Sequence, residues 1–172
     1  MRVLKVTVVM LIVVGCAHAP RAQAPESEPV GNLAQVMRGI FFPNSNIIFD
    51  VQSRDPDAPP EETDDGTVTS TFSSIYTGWP MVENAAIAIA GATQLIRMPG
   101  RMCQNGREVP LGDAEFMQFA KEMEEVAIAA AAVAATKDRD AMIEATNNLA
   151  GGCENCHSNY RRYPEENRCQ LP

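Results

Sequence analysis

Apolar residues recur at intervals of three and four along four stretches of this chain, the spacing that puts them on one face of a helix. The first stretch predicts a helix over about residues 32–51, with Leu33, Val36, Met37, Ile40, Asn44, Ile47, Ile48 and Val51 on its face. Pro43 interrupts this run. The phase reads the same on both sides, which favours one kinked helix over two short ones with Pro43 opening the second. A second helix is predicted over about residues 71–96, with Phe72, Ile75, Trp79, Val82, Ala86, Ile89, Thr93 and Ile96 on its face. Pro80 should perturb its early turns, and Pro99-Gly100 ends it. A third runs from Asp113, a good N-cap, to Thr136, with Phe116, Phe119, Ala120, Met123, Val126, Ala127 and Ala130 inward. The fourth covers about residues 139–161, and Met142, Ala145, Leu149, Cys153, Cys156 and Tyr160 share its face. Only Lys137-Asp138 separates the last two helices, so they must be antiparallel neighbours.

No stretch alternates as a strand does. The 172 residues are 45% hydrophobic but only 6% aromatic, and rich in alanine, which suits close-packed helices. The expected fold is therefore all-α, an antiparallel four-helix bundle. Residues 53–70 read as an acidic, proline-containing loop, and residues 97–112 as a second loop that carries Cys103.

The N-terminus changes the picture from a free domain to an exported one. Met1–Lys5 is a basic region, and Val6–Gly15 is an apolar core too short to span a bilayer comfortably. Val13-Val14-Gly15-Cys16 resembles the bacterial lipobox, whose cysteine is lipidated and becomes the new N-terminus. The alternative is ordinary cleavage after Ala19 or Ala24, both followed by proline. The expected organisation is a leader at 1–15, a flexible tether at 16–30 and a folded domain at 31–172, held at the periplasmic side of a bacterial membrane through Cys16. The formal charge of −8 becomes −10 once Arg2 and Lys5 leave with the leader. No basic run could track phosphates, so nucleic-acid binding is not expected. The acidic surface suits basic partners, or simply solubility.

The chemistry concentrates in Cys153-Glu154-Asn155-Cys156-His157. C-x-x-C-H is the attachment signature of c-type haem. Two thiols add across the porphyrin vinyl groups, and the following imidazole reaches the iron from one face of the ring. On a helix these positions share one face. A structural zinc site would need four protein ligands, and the only other histidine, His18, lies in the tether ahead of the folded domain. A thioredoxin-type C-x-x-C would open a helix after a strand, whereas this one lies near a helix end.

The longer run Cys153–Arg161, C-x-x-C-H-x-x-Y-R, resembles the C-terminal helix of the cytochrome c′ family. The resemblance covers helix order and motif position over about residues 32–161. It implies a four-helix bundle with one covalent haem c on the last helix, and not an enzyme. Some members of the wider family are five-coordinate and bind small gases. Others carry a methionine from the first helix as sixth iron ligand and transfer electrons. The long acidic loop, Cys103 and Cys169 depart from the family pattern.

Two further expectations follow from an up-down-up-down bundle. Cys103 follows the second helix and Cys169 follows the fourth, so both lie at one pole. In an oxidising compartment a disulfide between them is expected, with two free thiols as the alternative. At that same pole Met37 lies about five residues into the first helix, ~7.5 Å deep. His157 lies about four residues from the pole, so their depths match. Met81 is too deep and Met117 points away from the apolar stripe, while Met98 and Met102, in the polar loop, stay open as alternatives. Met37 is thus the expected sixth ligand, against plain core packing. A His/Met pair points to electron transfer with unidentified redox partner proteins. An open distal side points instead to binding of nitric oxide or carbon monoxide. A peroxidase would want a distal acid–base residue, and no second histidine is at hand. Haem as a mere staple of a structural lipoprotein is a further reading, and a homodimer is left open.

Overall fold

A computed structural model of the chain describes residues 28–58, 77–162, 164 and 168–169. The leader with Cys16, most of the tether and most of the acidic loop lie outside the described residues. Helix α1 is one continuous helical run in four segments: α-helical at Leu33–Val36, π-helical at Met37–Phe41, α-helical at Phe42–Phe49 and 3₁₀ at Asp50–Gln52. Helix α2 spans Gly78–Ile96, α3 Ala114–Thr136 and α4 Arg139–Tyr160. Each helix packs on the next, and α4 closes the ring against the second half of α1. Among the described residues the architecture is an all-α four-helix bundle. The loop after α2 contributes one isolated antiparallel bridge, Met102 to Glu108.

The start of α1 is a capping box. The Asn32 side chain accepts from the Gln35 N–H at 2.9 Å, and the Gln35 side chain accepts from the Asn32 N–H at 2.8 Å. Pro43 does not break the helix. Its ring would crowd the carbonyl four residues back, and it has no N–H to offer. The π turn just before it absorbs the conflict, with the Phe42 N–H donating to the Met37 carbonyl, five residues back. One helix continues, and Pro43 lies in the first turn of its next α segment. The inserted residue rotates the buried face. Val36 and Phe41 are buried five apart, followed by Ser45 and Ile48. Ile40 and Asn44, on the face predicted from unbroken phase, are only half-buried.

Helix α2 begins at Gly78, later than the predicted start at Thr71, after Thr77 in extended backbone. Residues 71–76 lie outside the described residues. Gly78 has φ +68, and a Cβ there would meet the Pro56 carbonyl oxygen at 2.8 Å, so the acidic loop's start passes directly over this turn. Pro80 sits in the first turn, where its missing N–H costs nothing. Asp113 caps α3 by accepting from the Glu115 N–H at 3.0 Å. Lys137 turns the chain in the left-handed region at φ 59, and Asp138 caps α4 by accepting from the Ala141 N–H at 3.0 Å.

The core is built from Ile48, Ile89, Phe116, Met142 and Leu149, all at most 1% exposed. Each contributes about 1.5–3 kcal/mol on burial. At the α1 C-terminal pole, Arg139 donates to the Val51 carbonyl from Nε at 3.2 Å and Nη2 at 3.1 Å. That ties the end of α1 to the start of α4. Toward the opposite pole the Leu33–Phe41 half of α1 stands off from α4. This divergence makes the site.

Candidate haem-attachment site

Cys153, Cys156 and His157 occupy the last two turns of α4, on the side that faces the gap left by α1. All three are half-buried, and the two cysteines form no disulfide. Burial raises the Cys153 thiol above its ordinary pKa. Cys156 is pushed up to about 11, first by burial and then by the charge of Cys153. These are neutral thiols, unlike the acidic thiolate of a redox-active C-x-x-C. The His157 imidazole is held below its ordinary range by burial first and by the nearby Arg161 guanidinium second, with Glu154 opposing. The neutral ring, the metal-binding form, therefore prevails at physiological pH.

The gap is a cavity of about 250 Å³, open at the pole. Its inner wall is apolar, built from Phe41, Ile89, Phe116, Phe119, Ala120 and Met123. Arg38 from α1, Arg161 and Arg168 stand around it. Cys153, Cys156, His157 and Met37 all line this one cavity, so the fold brings the four predicted haem residues together. Met81, Met98, Met102 and Met117 are not among its walls. Met123 is, although its place on the inward stripe of α3 marks it in the sequence only as core. Two thiols and a neutral imidazole on one helix face, opposite apolar walls and with cationic groups for a porphyrin's carboxylates, suit an iron porphyrin. Among the described residues no group of three or more His, Cys, Asp or Glu could hold a bare metal ion.

Two features hold the attachment helix in place. The Tyr160 hydroxyl donates to Asp113 Oδ2 at 2.6 Å, and its ring meets Phe116 edge-on at 5.1 Å and Phe119 at 6.4 Å. The end of α4, one turn past Cys156 and His157, is thereby locked to the start of α3. That hydrogen bond is the main reason the Asp113 carboxyl lies below its usual range. Burial first, and Asp113 second, push the Tyr160 hydroxyl well above its own. In the fold Gly151 faces open space, and Gly152 permits close approach of α3. A Cβ at Gly152 would lie 3.0 Å from Met123 Cε and 3.3 Å from Val126 Cγ2.

The expected disulfide is formed. Cys103 and Cys169 are bonded, with Cα atoms 6.5 Å apart. Both line the cavity, and the bond straps the chain end across the pole. Asn105 Nδ2 donates to the Arg168 carbonyl at 2.9 Å, and the Cys169 N–H donates to the Tyr160 carbonyl at 3.3 Å.

Residues 111–161 match the family model described as Cytochrome C′, a span that takes in α3, its cap and α4 through the whole attachment motif. No curated protein and no solved structure matches the chain at a significant level. With the motif inside the matched span, both thiols and the imidazole on one cavity, and four packed helices around it, the match supports a cytochrome c′-like family for this chain.

Proposed function

We propose that the protein is an exported one-electron carrier with a single covalent haem c, its iron held between His157 and Met37. The observation that supports this reading is the place of Met37. It lies on the α1 segment that faces the gap, half-buried, on the same cavity as Cys153, Cys156 and His157. Cys153 and Cys156 would hold the porphyrin edge, and His157 would meet the iron from the α4 side. When bound, haem supplies a one-electron iron couple. A neutral thioether together with an imidazole would favour the reduced metal and raise the potential. Met37 would also fill the place a gas needs.

The chain's own groups would then exclude water with apolar walls and keep His157 neutral. The family implies export to the periplasm, and no described helix is long and apolar enough to cross a membrane. A lipid on Cys16 would hold the domain near a membrane surface, within reach of the tether, where redox partner proteins exchange electrons with it. Labelled fatty acid should enter the protein in a bacterial host and be lost with Cys16→Ser.

The optical spectrum tests the iron ligands. The wild type should be low-spin in both oxidation states, and Met37→Ala should turn it high-spin, lower its potential and open a carbon monoxide site. A high-spin wild type that binds carbon monoxide without displacing a ligand refutes electron transfer by a His/Met iron. It favours gas binding instead. Covalent haem should vanish in the Cys153→Ala/Cys156→Ala protein under denaturing conditions.

A further inference from the structure

Arg101 is the one charged side chain buried to 2% exposure among the described residues, and it has no ion pair there. A buried cation is tolerated only if its donors are met. Those of Arg101 are met by acceptors from three places. Nη1 donates to the Val30 carbonyl at 3.0 Å and the Gly31 carbonyl at 2.8 Å, just before α1. Nε donates to the Leu95 carbonyl at 2.5 Å, in the last turn of α2, where the helix dipole favours a cation. Nη2 lies 3.6 Å from Met98 Sδ. The planar fork of a guanidinium fixes the angle between these partners in a way an ammonium cannot. Next to it, the Leu33 N–H donates to the Met102 carbonyl at 2.8 Å, and Arg38 Nη2 donates to Gln104 Oε1 at 2.8 Å.

The first half of α1 has no support from α4, because the cavity lies between them. Its height and tilt must therefore be set from the α2 side. Met37 follows Gly31 by six residues, roughly 9 Å along a helix. We infer that Arg101 is the positioning residue for the distal side of the site: its clamp on Val30, Gly31 and Leu95 sets where α1 begins and so where the Met37 sulfur stands. This rests on the reading of Met37 as iron ligand. The clamp tolerates little slack, because a metal–thioether bond fails if the sulfur is displaced by an ångström. Gly31 belongs to the same device. It sits at φ +72, where a side chain is strained, and a Cβ there would lie 3.0 Å from Gln35 Oε1 inside the capping box.

The test uses the haem-loaded protein and four forms: wild type, Met37→Ala, Arg101→Gln and Gly31→Ala. Spin state is read from the optical spectrum, and carbon monoxide association from flash photolysis of the reduced protein. Haem content and far-ultraviolet dichroism serve as controls for folding. Arg101→Gln is expected to show a mixed-spin spectrum and carbon monoxide association at least tenfold faster than wild type, with haem content and helicity unchanged. Gly31→Ala disturbs the clamp from its acceptor side at an exposed position and should shift both readouts the same way. It carries the test alone if Arg101→Gln does not fold. A low-spin wild type that Met37→Ala makes high-spin, with no change of spin state or rate in the clamp variants, overturns the positioning role and leaves Met37 as ligand. A wild type that is high-spin and indifferent to Met37→Ala overturns both.

Discussion

Replacing Cys103 and Cys169 together by serine should release the strap at the haem pole. The bond closes a loop with a sequence separation of 66. Chain entropy puts its stabilisation at about 4 kcal/mol for a loop of that length, and native disulfides commonly deliver about 2–4 kcal/mol. The two hydrogen bonds, Asn105 to Arg168 and Cys169 to Tyr160, are each worth about 1 kcal/mol net. Ordering the residues after Tyr160 costs roughly as much per residue in backbone entropy alone. The double serine variant should therefore lose about 2–4 kcal/mol, a drop of roughly 10 °C in Tm. The assay is thermal unfolding of the haem-loaded protein followed by far-ultraviolet dichroism. Alkylation and peptide mass should label Cys103 and Cys169 only after reduction. An unchanged Tm, or full labelling of both cysteines without reduction, would refute the reasoning.

The close approach of α3 and α4 makes Gly152 sensitive to size. Gly152→Ala should be tolerated, because the free end of Met123 can shift; Gly152→Leu should cost about 1–3 kcal/mol by overpacking and lower the haem content of the purified protein. The Asp113–Tyr160 pair should shape the pH dependence of stability. The Asp113 carboxyl is depressed in the fold, so its contribution is present above the ordinary carboxylate range and is lost as pH falls through its folded value. The Tyr160 hydroxyl is raised, so its contribution is full below about pH 10, the ordinary tyrosine value, and is lost as pH rises beyond it. Tyr160→Phe keeps the ring packing and should flatten both limbs of the Tm–pH curve; parallel curves for the two proteins would count against the bond.

Much of the site was legible in one dimension because its chemistry is local. Cys153, Cys156 and His157 lie within five consecutive residues, and a helix puts them on one face whatever surrounds it. The stripes of α3 and α4 were equally readable, since unbroken 3.6-residue periodicity, a capping Asp and a two-residue connection leave the chain few choices. The pairing of Cys103 with Cys169 followed from helix order, which puts both at one pole, together with the oxidising compartment expected from the leader. Three things were decided only in three dimensions. The π turn at Met37–Phe41 resolves a conflict between Pro43 and the carbonyl before it, and no local pattern says which hydrogen-bond register will win; that choice buried Phe41 and Ser45 in place of Ile40 and Asn44. The role of Gly152 depends on what α3 presents to it, which its own sequence neighbours do not encode. Arg101 reads as an ordinary loop cation, because its acceptors are backbone carbonyls on segments up to 71 residues away. Residue types specify which groups can meet, and only packing selects which carbonyls do.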